Sequence, residues 1–256
     1  MNQIEKYYNK FNEDKRLSTR HGIVEFTVSM AFLHEYIDTA PCKIIDIGAG
    51  TGKYSIALAN EGHDVTAVEL VKKNLSVLKQ NNSTVKAFQG NALNLKKFKD
   101  ETFDITIMFG PMYHLFTTED KVQALREAKR VTKKGGYIFV AYLLADYALI
   151  RHGIMDNNIR KSINNGKIDC NYNIITNPDD LYSYVRQPQI DEYNTLANLK
   201  RACIFSPDGA TDYIRQSINK LSDQDFEYFL NYQLNNATRP DLLGASSHVV
   251  DVLEKE

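Results

Sequence analysis

The chain has 256 residues, of which 43% are apolar and 25% charged, the proportions of a folded globular protein, so disordered, collagen-like and coiled-coil architectures are excluded. Thirty-one Lys and Arg against 32 Asp and Glu leave a formal charge of -1, too balanced for a general nucleic-acid binder. Doubly wound folds of this length are routinely single units, so one domain over 1-256 is expected.

Residues 1-11 are polar and charged and carry no secretory apolar run, so the mature chain is expected to start here. The most apolar stretch, 137-150, is broken by Asp146 and falls short of the roughly 20 residues that span a bilayer, so no membrane span is expected. Cys42, Cys170 and Cys203 are odd in number and far apart, which suits a reducing compartment and a cytoplasmic location, and gives no metal knuckle.

Apolar residues Ile23, Phe26, Met30, Phe32, Leu33 and Ile37 approximate a helical stripe ending near Pro41, so residues 1-40 read as a helical lead-in or cap. From Lys43 the pattern becomes short apolar runs alternating with helical segments. Strands are predicted at 43-47, 64-69, 84-89, 103-109 and 136-143, all rich in Ile, Val, Phe or Ala as buried parallel strands require. Helices fall near 53-61, 71-81 and 119-133, the last closed by Lys133, Lys134 and a Gly135-Gly136 cap. These elements make 41-145 a ligand-binding core. Beyond Ala145 the alternation lapses, and 146-187 and 210-243 read as insertions that form a lid. Between and after them, 188-209 and 244-256 supply a helix from Pro188, a strand over 201-205 and a last strand over 247-253.

Residues 44-55, Ile-Ile-Asp-Ile-Gly-Ala-Gly-Thr-Gly-Lys-Tyr-Ser, are a strand, a glycine-rich turn and a helix start. Glycine lets the backbone approach a ligand and take positive φ, and the free N-H groups of the helix favour an anionic group there. A dinucleotide fingerprint needs glycine where Lys53 stands. A P-loop needs glycine at Ile47 and a small hydroxyl at Tyr54. NAD and nucleoside triphosphates are thereby disfavoured.

The Gly48-Ala49-Gly50-Thr51-Gly52 spacing following Asp46 resembles motif I of the class I S-adenosylmethionine-dependent methyltransferases, and the resemblance continues through four further segments to residue 145. It implies an α/β fold: a doubly wound seven-stranded, mostly parallel sheet of order 3-2-1-4-5-7-6, the last strand antiparallel, with helical lid insertions. It also implies S-adenosyl-L-methionine as cofactor and S-adenosyl-L-homocysteine as product. By the same resemblance Gly48, Ala49, Gly50 and Gly52 hold the methionine end and Asp46 orients the loop. Glu69, followed by Leu70, accepts from the ribose hydroxyls, and Asn91 and Ala92 form the adenine corner. Asn91 departs from the usual Asp, although its amide oxygen can still accept.

Phe109 and Gly110 lead into Pro111, Met112, Tyr113 and His114, where the family meets its acceptor. This run together with a C-terminal Ser-Ser-His strand is similar to small bacterial members. Methyl transfer is an in-line displacement that needs alignment, and an acceptor that must lose a proton needs a base. His114 is the first candidate base. Met112, Tyr113, His114 and His21 are candidate substrate contacts, and His248 starts the last strand within reach of the same cleft. A lone histidine or an arginine pair such as Arg16 and Arg20 also suits a capping or ion-pair role, and Tyr7, Tyr8, Tyr182 and Tyr184 suit either an aromatic pocket or packing.

No Asn-Pro-Pro-aromatic tetrad occurs, which disfavours amino methylation of nucleic acid. No metal is expected. The expected reaction is methylation of a small acceptor at oxygen, carbon or nitrogen. The alternatives are a non-catalytic S-adenosylmethionine-binding module and a nicotinamide oxidoreductase, since a fold alone never establishes an activity.

Overall fold

The computed structural model describes residues 7, 19-37, 41-81 and 84-256. Tyr8, Arg16 and most of the lead-in lie outside the described residues. The first described helix is α1 (Arg20–Tyr36), capped by the Thr19 hydroxyl, which accepts from Gly22 N-H. Strands and helices then alternate as β1 (Lys43–Ile47), α2 (Lys53–Asn60), β2 (Asp64–Glu69), α3 (Lys72–Asn81), β3 (Lys86–Gln89), β4 (Phe103–Met108), α4 (Thr118–Val131) and β5 (Thr132–Leu143). After α5 (Ala145–Ala148) and α6 (Ile159–Asn164) come α7 (Gln187–Ala197), β6 (Lys200–Phe205), α8 (Arg215–Ile218), α9 (Asp223–Asn236), α10 (Pro240–Leu243) and β7 (His248–Glu254).

The sheet runs β3-β2-β1-β4-β5-β7-β6, as expected. β1 pairs in parallel with β2 and β4, placing Ile44 beside Val65 and Ile105. β7 is antiparallel to both β5 and β6, with Leu143 opposite His248. Because β7 runs backwards, its first residue lies at the carboxyl edge of β5. In open α/β sheets, that edge is where ligands bind.

Each face of the sheet buries its own core. On one face Val24, Val28 and Leu33 of α1 pack with Leu58 of α2, Leu78 of α3 and Phe205, and Phe32 stacks on Phe205 at 4.0 Å. On the other, Ala124, Leu125 and Ala128 of α4 meet Ile190 and Tyr193 of α7. The lead-in helix is therefore a layer of the fold, and its amino-terminal end, with His21 and Glu25, reaches the carboxyl edge. Arg20 pairs with Asp223 of α9 at 2.9 Å and lies over Phe226, so it joins two helices.

Most boundaries fall within two residues of the expectation, and the junction of α4 with β5 differs by more. The predicted helix end at Lys133 with its glycine cap is instead the start of β5. Thr132 already pairs with Phe103 across the sheet, and its hydroxyl bonds the Ala128 carbonyl at 2.7 Å and the Thr106 hydroxyl at 2.6 Å. Those bonds end α4 at Val131 without a glycine. Gly135 takes a φ of +71° within the strand, and Lys133 pairs with Asp104 at 2.6 Å.

Candidate active site

The glycine turn after β1 is positioned from two sides. Gly48, Gly50 and Gly52 all take positive φ, at +77°, +58° and +92°, a region that costs L-residues roughly 1–2 kcal/mol. At Gly48 a Cβ would fall 2.7 Å from Pro111 Cδ, and at Gly52 one would fall 2.6 Å from Leu78 Cγ. Gly48 thus touches the turn that follows β4. Gly52 lies behind the turn, against α3, and does not line the cavity.

Glu69 ends β2 with 5% exposure. Its carboxylate accepts from Gly50 N-H at 2.8 Å and from Val71 N-H at 2.6 Å. Asp46 is buried at the end of β1 and accepts from the Ser55 hydroxyl at 2.6 Å. Burial pushes its carboxyl up to about 7; the Ser55 bond opposes that shift, and the negative Glu69 adds to it. At the end of β3, Asn91 Oδ1 accepts from Leu93 N-H at 3.0 Å, so the amide oxygen expected to face the adenine also holds its own turn. Ala92 is buried beside it.

After β4, Pro111–His114 form one short 3-10 turn. Met112 points into the core with Met108 and Leu125, at 1% exposure, and does not reach the cavity. Tyr113 and His114 do line the cavity. His114 Nδ1 lies 2.9 Å from the Leu181 carbonyl, which fixes the proton on Nδ1. Burial pushes this imidazole below its ordinary value, and the Leu181 bond partly opposes that.

Residues 181-185 form the next wall. Ser183 N-H donates to the Tyr113 carbonyl at 2.6 Å and Val185 N-H to that of Leu143 at 2.9 Å. Lys121, with 2% exposure, donates to Ser183 Oγ at 2.8 Å and to the Leu115 carbonyl. Burial lowers its ammonium to about 8. Tyr182 and Tyr184 face inward from this wall, and burial, followed by the charge of Asp180, pushes Tyr184 up to about 12.

These residues line a cleft of about 940 Å³ along the carboxyl edge from Asn91 to His248. Single ligand sites run to roughly 1,000 Å³, so there is room for a nucleoside-sized molecule and a smaller one. Of the expected residues, Asp46, Gly48, Ala49, Gly50, Glu69, Leu70, Asn91, Ala92, Phe109, Gly110, Tyr113, His114 and His21 line it; Gly52 and Met112 do not. Asn74, Asp208, Tyr147 and Asp212 also line it, and no motif pointed to them. Asp208 and Asp212 sit in a Ser-Pro-Asp-Gly turn and its continuation, where acidic residues are usual turn formers. Among the described residues no group of His, Cys, Asp and Glu is placed to hold a metal ion.

Residues 45–140 match the family model of a methyltransferase domain. A demethylmenaquinone methyltransferase from Paenarthrobacter aurescens is 38% identical over 100 residues, 39% of this chain and 38% of that protein. The cypemycin N-terminal methyltransferase of a Streptomyces species is 35% identical over 100 residues, covering 38% and 40%. The match thus spans only about two fifths of either relative. In fold the likeness extends to the whole chain. The crystal structure of a SAM-dependent methyltransferase from Thermotoga maritima superposes with a TM-score of 0.61 at 18% identity, covering 99% of both chains.

Proposed function

We propose that this protein transfers a methyl group from S-adenosyl-L-methionine to a small-molecule acceptor. S-adenosyl-L-methionine is the cofactor of the methyltransferase domain, and when bound it supplies a methyl group on a positively charged sulfur. The donor set fits it: a glycine turn allows close backbone approach, Glu69 offers a buried carboxylate to hydroxyl donors, and Asn91 and Ala92 form a corner suited to a flat ring.

The observation that carries the reading is continuity. One continuous cleft joins the Glu69 corner on β2 to the wall made by Tyr113, His114 and residues 181-185, so two molecules can meet at the Phe109–Pro111 corner. There Gly48 and Pro111 are in contact, which fixes the distance between the two halves of the site. Alignment of that kind can supply much of the barrier reduction in a displacement. A non-catalytic binding module would pair an intact cofactor site with a blocked or unreactive acceptor pocket, and incubation with labelled donor and a metabolite extract discriminates the two.

The relatives are named for unlike acceptors, demethylmenaquinone in one case and the cypemycin N terminus in the other. The tyrosine-lined acceptor side supports a small, partly apolar molecule here. Calorimetric titration with S-adenosyl-L-methionine, S-adenosyl-L-homocysteine and NADH tests the reading. Binding of both sulfur compounds with NADH silent is expected, and binding of NADH alone would overturn it.

A further inference from the structure

At the end of the cleft opposite Asn91, one carboxylate organises two guanidiniums. Asp212 is 8% exposed. Its Oδ2 accepts from the Tyr147 hydroxyl at 2.5 Å and lies 3.4 Å from Arg151 Nε, while Oδ1 pairs with Arg215. The two arginines differ in what remains to them. Arg151 also pairs with Asp156 and does not line the cleft, whereas Arg215 lines it with its side chain half exposed. Among the described residues Asp212 is the one partner of the Arg215 guanidinium, engaged through a single nitrogen. A guanidinium carries five N-H donors in a fixed fork, so most of this fork is left to the cleft and its mouth.

The segment that carries Arg215 is held from below. Gln233 of α9 is buried and donates from Nε2 to the Ser206 carbonyl at 2.9 Å. Gly209 N-H donates to Ser206 Oγ at 2.8 Å and Thr211 N-H to the Asp208 carbonyl at 2.9 Å, and the buried Ile218 seats α8. Asp208 is the competing negative charge at this end. It is buried, and its oxygens accept from the Ser247 hydroxyl and, at 3.3 Å, from His248 N-H, so it is turned to protein donors while the Arg215 fork is open. Strand order sets the reach. Arg215 follows β6 and the Phe109–Pro111 corner follows β4, with β5 and β7 between them. Three strand spacings are roughly 14 Å, and Tyr113 and Tyr147 line the span.

We propose that the methyl acceptor carries a carboxylate at the end remote from the atom that is methylated, and that Arg215 selects it. The inference deepens the reading of the protein as a methyltransferase and rests on it. A planar carboxylate matches the guanidinium fork with two parallel N-H donors, a geometry that a lysine ammonium cannot offer. Asp212 holds the fork in place before the acceptor arrives, so little side-chain freedom is lost on binding. The carboxylate is a handle and keeps its charge through the reaction. The methylated product is therefore an anion.

Two measurements test this. Calorimetry on protein saturated with S-adenosyl-L-homocysteine compares 3-phenylpropionate, 3-phenylpropanol and 3-phenylpropylamine, one skeleton with three charges. The propionate should bind about 10- to 100-fold more tightly than the alcohol, and the amine most weakly. Arg215→Gln should bring the propionate to the level of the alcohol and leave the alcohol and S-adenosyl-L-homocysteine unchanged, and Arg215→Lys should keep part of the preference. An arginine with structural duties alone would move all three affinities together. In the second measurement, a metabolite extract is incubated with labelled donor, and the labelled product should be retained by an anion exchanger at pH 7. Tightest binding of the amine, no binding in the series, a propionate affinity that survives Arg215→Gln, or a labelled product that passes the anion exchanger would overturn the proposal. Any of these with S-adenosyl-L-homocysteine bound sinks this inference alone. No cofactor binding and no labelled product sink the methyltransferase reading as well.

Discussion

Glu69 holds the glycine turn it faces: its Oε2 accepts from Gly50 N-H at 2.8 Å while Oε1 accepts from Val71 N-H at 2.6 Å. The carboxylate at the end of β2 therefore shapes the site before any ligand arrives. Removing it confounds two effects. Glu69→Ala leaves two backbone donors without this partner, at about 1–3 kcal/mol for each left unsatisfied, and should lower both stability and cofactor affinity. Glu69→Gln keeps one acceptor oxygen for the turn. It should unfold within about 1 kcal/mol of wild type and still bind S-adenosyl-L-methionine at least 10-fold more weakly. Urea titration alongside calorimetry checks this, and equal affinity in the Gln variant would remove Glu69 from ribose binding.

Gly48 meets Pro111 across the two halves of the cavity, with a φ of +77° and a Cβ position 2.7 Å from the proline ring. Gly48→Ala meets both the left-handed strain and the clash. A loss of about 2–4 kcal/mol is expected, or displacement of the 110-115 turn. Pro111→Ala in the same chain removes the ring and should recover the steric part. Recovery in the double variant, measured by thermal melts, distinguishes contact from backbone strain.

Asp46 carries a pH signature. Its carboxyl is pushed from 3.8 to about 7, so the folded protein keeps this proton through a range where the unfolded chain has lost it. Stability from this group is complete below about pH 4 and is lost as pH rises through about 7. Asp46→Asn keeps an acceptor for Ser55 and cannot ionise. At pH 8 the variant should be more stable than wild type by on the order of 3 kcal/mol, the gap closing at pH 4. Its affinity for the cationic cofactor at pH 8 should fall, because the charge that opposes folding is the one that faces the cavity.

The regular half of the fold was legible because both of its signals are local. Buried parallel strands read as apolar runs, and the β1 turn reads as glycines, the residues that take positive φ at least cost. Gly48, Gly50, Glu69 and Ala92 are assigned to the site by the resemblance that this turn and the segments after it carry, and all four line the cavity. Met112 does not, because the Pro111–His114 turn is 3-10 and its side chains splay to opposite sides; sequence adjacency to Tyr113 says nothing about direction. Thr132 ended α4 through two hydroxyl bonds, one of them to Thr106, 26 residues earlier, a cap that no nearby residue announces. Asp208 and His248 lie 40 residues apart and meet only because β7 runs antiparallel and starts at the carboxyl edge. The pairing is a property of topology, and topology of the last strands was inferred from resemblance.

Lys121 is the remaining buried charge beside the acceptor wall. Its ammonium bridges the Leu115 carbonyl and Ser183 Oγ, tying the start of α4 to residues 181-185. Burial, partly opposed by the negative Asp120, lowers it from 10.5 to about 8. The unfolded chain therefore binds more protons between about pH 8 and 10.5, and the folded state gains from this group as pH rises across that window. Lys121→Met preserves the apolar stem and removes the titration. Wild type should gain up to about 3 kcal/mol relative to the variant between pH 7 and pH 10, in denaturant titrations run at both values. If Lys121 acts only by holding the wall, S-adenosyl-L-homocysteine binding stays unchanged in Lys121→Met while the Tyr182 and Tyr184 ring signals broaden. A matching loss of cofactor binding would instead place the two halves of the cavity in mechanical contact through α4.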